Sequence, residues 1–371
     1  MRGAKRLGFA VAFLLLASVS AALAESDYPN RPIRLIVGFI PGSAADITAR
    51  VLGQRMGQIL GQQFVIEAKP GAGSSLAAEF VARAANDGYT LFIASSANVT
   101  NAAINPNLPF DMIKDFTPIA LINTAAVILV VPPSTGVKNV EELIALAKSK
   151  PGEVLYASTG VGTAPHLSGE LLSMRAGIKL VHVPYQGSPQ AATDLLAGRV
   201  TMMFSPASAV ISQVDAGSLR ALASAASKRP GILPNVPTMA EAGMPDFDTS
   251  IWFGLMAPTG TPRHIIDKLA RAVREAVATN EVVMSWRPQG IDPLSGGPEE
   301  FARHIETESK RWGGVAQAAG LKVSAMGRTG VDPWPGQRYH LYDRCYFLRF
   351  APLRGEQGAS AVELACGCIP R

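Results

Sequence analysis

Cysteine is absent from this 371-residue chain until Cys345; the other two, Cys366 and Cys368, lie closer still to the C-terminus. The main body therefore has no thiolate nucleophile, no cysteine zinc site and no disulfide framework, and must be held together by its own packing. Cys366-Gly367-Cys368 is too isolated and too tightly spaced for zinc, and an odd count leaves a free thiol or an intermolecular bridge. Histidine is scarce as well. Those of the main body, His166, His182, His264 and His304, are scattered, with no metal-ligand spacing among them. The chain lacks a Gly-x-Ser-x-Gly elbow and a Gly-x-x-x-x-Gly-Lys-Ser/Thr phosphate loop. Gly71-Ala72-Gly73 and Gly160-Val161-Gly162 stop short of Gly-x-Gly-x-x-Gly, and no acidic residue stands at a strand end about 20 residues further on to take a ribose hydroxyl. No cofactor and no metal are expected.

Unbalanced charge is also missing where it would matter. The formal charge of +5 comes from Arg2, Lys5 and Arg6 at the start and from an excess of two cations over 323–371, which leaves 25–322 neutral. With aromatics at only 7 % and no basic stripe, nucleic acid is excluded as a partner. The apolar stretch from Ile119 to Val131 is broken by Asn123 and Thr124 and is too short to span a membrane.

What the chain does contain begins with an export signal. A basic start, an apolar run from Leu7 to about Ala17 and the small-x-small site Ala22-Leu23-Ala24 read as a signal peptide over 1–24, so the expected location is the periplasm. From Ile33 to about Leu321 the pattern is an apolar run, a loop of small residues, then a helical period, many times over. Strands alternating with helices predict an α/β fold of mainly parallel sheets, with ligand crevices beyond the carboxyl ends of the strands. Two extended segments, Phe116–Pro133 and Trp252–Pro258, read as crossings between two domains. The first domain is placed at 25–123 plus 247–322 and the second at 124–246, with a cleft between them. Pro262–Ala278 and Pro298–Ala319 carry apolar stripes at helical spacing. Residues 323–371 lose all periodicity and read as an atypical extension, disordered or artefactual rather than an added module.

The candidate site follows from the loops. Ile33–Val37 runs into Pro41-Gly42-Ser43-Ala44-Ala45-Asp46, and the start of a helix leaves backbone N–H groups unpaired at its positive end. Similar loops offer Gly73 and Ser74, Ser95 and Ser96, Thr159, Gly162 and Thr163, Tyr185, and Ser205. Each alone is ordinary cap chemistry. Together, on two domains, they could surround a carboxylate with N–H and hydroxyl donors and no formal cation, each charge-assisted bond contributing roughly 1.5–3 kcal/mol. Asp46 reads as an organiser of its loop, because a second negative charge would repel an anion. His166 reads either as a neutral donor into the cleft or as a structural histidine, and Tyr185 as a ring wall or a core tyrosine.

Several motifs in order give the chain a resemblance. Tyr28-Pro29-x-Arg31-Pro32-Ile33, Pro41-Gly42-x-x-x-Asp46-x-x-Ala49-Arg50, Lys69-Pro70-Gly71-Ala72-Gly73, Asp87-Gly88-Tyr89-Thr90-Leu91, Gly162-Thr163-x-x-His166-Leu167, His182-Val183-Pro184-Tyr185-x-Gly187 and Trp252-Phe253-Gly254-Leu255 stand at spacings that resemble the Bug receptors. These are the extracytoplasmic solute-binding proteins of tripartite tricarboxylate transporters, and the resemblance runs from about Tyr28 to Lys322. It implies a two-domain hinged periplasmic binding fold, not an enzyme, that captures a small organic carboxylate and delivers it to inner-membrane transporter subunits, working as a monomer. It also implies that Phe39–Asp46 and Thr159–Thr163 pin the ligand carboxylate. Ser43 replaces the family's usual second loop glycine, and Ser205 stands where Asp commonly follows Phe204, a change expected to favour an anionic ligand over an amine-bearing one. The alternatives are a binding protein that reports to a sensor kinase, or an α/β enzyme using a nucleotide.

Overall fold

The computed structural model describes residues 28–105 and 107–318; the expected signal peptide and the 323–371 extension lie outside the described residues. Among the described residues, the strands are β1 (Ile33–Val37), β2 (Phe64–Ala68), β3 (Thr90–Ser95), β4 (Phe116–Ala125), β5 (Val127–Val131), β6 (Val154–Ser158), β7 (Leu180–Pro184), β8 (Met202–Pro206), β9 (Arg220–Ser224), β10 (Ile251–Pro258) and β11 (Ile291–Gly296). They form a six-stranded sheet in the order β11-β4-β10-β3-β1-β2 and a five-stranded sheet in the order β7-β6-β8-β5-β9.

Both sheets are mixed. β1 runs parallel to β2 and β3, and β6 runs parallel to β7 and β8, as strand-loop-helix repeats require. The strands of the crossing segments run the other way: β10 is antiparallel to β3 and β4, and β5 is antiparallel to β8 and β9. The Phe116–Pro133 segment is thus two strands in different sheets, joined at Ala126. That residue donates its N–H to Gly290 O and accepts from Ala207 N–H, which ties the joint to both sheets.

Helices cover the sheets with the faces that periodicity assigns. Ala44–Leu60 buries Ala45, Ala49, Leu52 and Met56, and Arg263–Val277 buries Ile265, Ile266, Leu269, Val273 and Ala276, all in one apolar cluster with Ile33, Leu35 and Leu255. Burying a full Leu or Ile side chain contributes about 1.5–3 kcal/mol, so this cluster needs no disulfide. In the second sheet, Ala164–Ala176 packs Leu171 and Leu172 near Tyr156 and Phe204. Pro298–Ala318 crosses the opposite face of the first sheet, where Phe301 and Ile305 meet Phe92, Trp252 and Met256. No described helix is long and apolar enough to cross a membrane.

A closed cleft built from helix N-termini

Four strand-to-helix connections converge on one narrow cleft. Ser43, Ala44 and Ala45 begin the helix after β1; Ser95, Ser96 and Ala97 begin the helix Ser96–Ile104 after β3. From the other sheet, Thr163, Ala164 and Pro165 begin the helix after β6, and Gly187 and Ser188 begin the helix Ser188–Leu196 after β7. The remaining walls are Phe39, Thr159, Pro206, Ile251 and Phe253. The lining contains no Lys, Arg, Asp, Glu or His. Each helix start carries roughly half a positive charge, so the cavity is electropositive without a formal cation.

The loops owe their shape to identifiable bonds. Ser43 caps its helix, its Oγ accepting the Asp46 N–H at 3.3 Å. Asp46 Oδ2 accepts the Gly42 N–H and the Arg50 Nε–H, each at 2.9 Å, which folds the turn back on the helix. Asp46 is buried and is not among the residues that line the cavity. Across the cleft, Thr163 Oγ1 donates to Gly160 O at 2.7 Å. The two sides touch. Thr100 Oγ1 donates to Gly162 O, and Gly187 lies so close to Ile40 that a Cβ there would sit 2.6 Å from Ile40 Cγ1.

Of the residues expected at the site, Phe39, Ser43, Ala44, Ser95, Ser96, Thr159 and Thr163 line the cavity. Pro41 and Gly42 shape the approach to the first cap without lining it. Gly73 and Gly162 belong to the seam between the two sides, where Asn101 Nδ2 donates to Gly73 O at 3.0 Å. Ser74 is fully buried beside Gly38, and its hydroxyl does not reach the cavity. Ser205 is fully buried in β8, its Oγ 3.1 Å from Pro206 O, leaving its neighbour Pro206 to face the cleft. Tyr185 turns away: its hydroxyl donates to Asp194 Oδ2 at 2.8 Å, and burial together with that carboxylate pushes the phenol upward.

His166 is buried behind the loop rather than donating into the cleft. Its Nδ1 accepts the Gly162 N–H at 3.2 Å, its ring lies 4.3 Å from that of His182, and burial lowers its pKa to about 4. Burial and the neighbouring imidazole likewise hold His182 well below its ordinary value, while desolvation raises Glu170 beside them. Nine lining residues were not among the candidates: Ala45, Ala97, Ala164, Pro165, Gly187, Ser188, Pro206, Ile251 and Phe253. Most of these adjoin loops that were noticed, Ser188 beside Gly187 and Pro206 beside Ser205, whereas Ile251 and Phe253 enter the cavity only through the packing of β10, distant in sequence.

Two lobes, each with helix N-termini aimed at a shared cleft, define a binding protein of the two-domain periplasmic type, the fold of its solved structural neighbours. Residues 48–321 match the model for the tripartite tricarboxylate transporter family receptor. The chain belongs to that family, whose receptors are periplasmic solute-binding proteins. BugT of Bordetella pertussis (strain Tohama I) is 37 % identical over 313 residues, covering 84 % of this chain and 96 % of BugT. The structure of R. palustris Rpa4515 with adipate is 35 % identical, with a TM-score of 0.76 over 79 % of this chain and 99 % of that one. MatC from Rhodopseudomonas palustris with bound malate is 32 % identical, with a TM-score of 0.74 over 78 % of this chain and 99 % of that one.

Proposed function

We propose that this receptor captures a small organic carboxylate in the cleft and surrenders it to inner-membrane transporter subunits. The observation that carries the reading is the convergence of four helix N-termini on a cavity without any charged side chain. Such a site stabilises an anion through N–H groups and hydroxyls, and because the donors come from two lobes it is complete only when they are together. The adipate and malate held by two similar proteins support dicarboxylates as the first candidates to try. On this reading the seven lining residues foreseen from sequence contact the ligand. Residues 25–123 with 247–322 form one moving domain and 124–246 the other.

The protein does no chemistry in this scheme, acts as a monomer and reaches the periplasm by cleavage near Ala24. His166 and His182, behind the Thr159–Thr163 loop, are engaged inside one lobe. A thermal-shift screen of the purified chain against mono-, di- and tricarboxylates, amino acids and nucleotides tests the reading. A ligand at a hundred times its Kd should stabilise the fold by about 2.7 kcal/mol. Stabilisation by a nucleotide, and by no organic acid, would overturn it.

A further inference from the structure

Two buried histidines stand behind the Thr159–Thr163 loop, and neither lines the cavity whose wall that loop supplies. Each is linked to one glycine amide of the loop. Gly162 N–H donates directly to His166 Nδ1 at 3.2 Å. Gly160 N–H donates to Ser158 Oγ at 3.1 Å, and Ser158 Oγ lies 2.6 Å from His182 Nε2. The two rings pack at 4.3 Å, and Tyr156 stacks on the far side of His182 at 4.9 Å. Gly160 and Gly162 have φ of +123° and +76° and take no part in a helix or strand, so no backbone ladder holds these amides and the two side-chain acceptors pair them.

The bond from a backbone N–H fixes the proton on His166. An Nδ1 that accepts an N–H carries no proton, so neutral His166 is protonated on Nε2, the atom 3.9 Å from Glu170 Oε1. Ser158 Oγ already accepts from Gly160, and its own proton has two acceptors in reach: Gly160 O at 3.3 Å and His182 Nε2 at 2.6 Å. With Ser158 donating along the shorter contact to His182 Nε2, the imidazole proton of His182 is on Nδ1, the arrangement adopted in the proposal below. The other titratable groups around the pair are Tyr156, from β6, and Glu170, on the helix of His166. The Tyr156 hydroxyl donates to Glu170 Oε1 at 2.5 Å. β8 brings only Met202, Met203, Phe204, Ser205 and Pro206.

We propose that His166 and His182 are positioning residues for ligand capture: a neutral pair in opposite tautomers that holds the two glycine amides so that Thr159 and Thr163 face the cleft. The proposal rests on the carboxylate-receptor reading only for the ligand used to probe it.

The test combines nitrogen-15 NMR of the histidines with adipate and malate titrations of wild type, His166→Asn and His166→Leu at pH 7. Asparagine Oδ1 can take the place of Nδ1 as acceptor, whereas leucine leaves the Gly162 N–H without a partner. The expected spectra show two neutral imidazoles, one protonated on Nε2 and the other on Nδ1. His166→Asn should bind within about threefold of wild type and His166→Leu about tenfold or more weakly, with faster exchange of the Gly162 amide. A His166 protonated on Nδ1, or a His166→Leu protein that binds as wild type does, overturns the proposal. If neither acid binds any variant, the carboxylate reading fails by itself, and the tautomers with the Gly162 exchange rate still decide the positioning role.

Discussion

Replacing Gly162 by alanine separates closure of the cleft from stability of the fold. Gly162 has a φ of +76°, and a Cβ added there would lie 2.1 Å from Asn101 Oδ1 and 2.6 Å from Asn101 Cγ. The backbone strain, about 1–2 kcal/mol for an L-residue in the left-handed region, acts whether the lobes are together or apart. The collision acts only when they are together, because Asn101 belongs to the opposite lobe. Asn101 cannot simply swing aside: it is buried, and its Nδ2 donates to Gly73 O at 3.0 Å. Displacing it breaks that bond and leaves buried polar groups unsatisfied, a cost of about 1–3 kcal/mol, or roughly 5- to 150-fold in affinity. Calorimetric titration with adipate and malate should show this loss in Gly162→Ala, while the ligand-free melting temperature falls by only a few degrees. Adding Asn101→Ala removes the obstacle and should recover most of the affinity, so that the two substitutions are strongly non-additive. Wild-type affinity in Gly162→Ala, or no recovery in the double variant, would refute the seam as the closure contact.

Ser43→Ala removes the cap on the Asp46 N–H and should cost about 1 kcal/mol of stability in urea denaturation, with weaker ligand binding besides. The pH dependence has a definite sign. His166 has a folded pKa of about 4 against an ordinary 6.5, so between these values the unfolded chain binds more protons and stability falls as the pH falls. The contribution of His166 to that loss reaches about 3 kcal/mol by pH 4, and denaturation curves of His166→Asn should show a shallower pH dependence, the share of His182 remaining. Removal of residues 323–371 should leave ligand affinity unchanged by titration; its loss would give the extension a role in binding.

The sequence made the wall-building loops legible because their signals are local. An apolar run followed by Gly, Ser or Thr at a helix start names the cap, and Ser43 and Thr163 stand where that rule puts them. Asp46, read from charge as an organiser, holds Gly42 and Arg50 through bonds that no sequence pattern spells out. Non-local placement was not legible. Ile251 and Phe253 reach the cavity because β10 inserts between β3 and β4, which no periodicity reveals. The orientation of His166 depends on a backbone amide four residues earlier, and that of Tyr185 on Asp194 one helix further on. The mixed character of the sheets arises from the crossing strands, whose direction follows from how the chain returns between lobes.

The most direct measurement is isothermal titration of the purified chain with adipate, malate and other small carboxylates, with a nucleotide and an amino acid as controls. A cleft built from helix N-termini predicts saturable, one-to-one binding of at least one carboxylate and no binding of the nucleotide. Binding of the nucleotide, with every carboxylate silent, would contradict it.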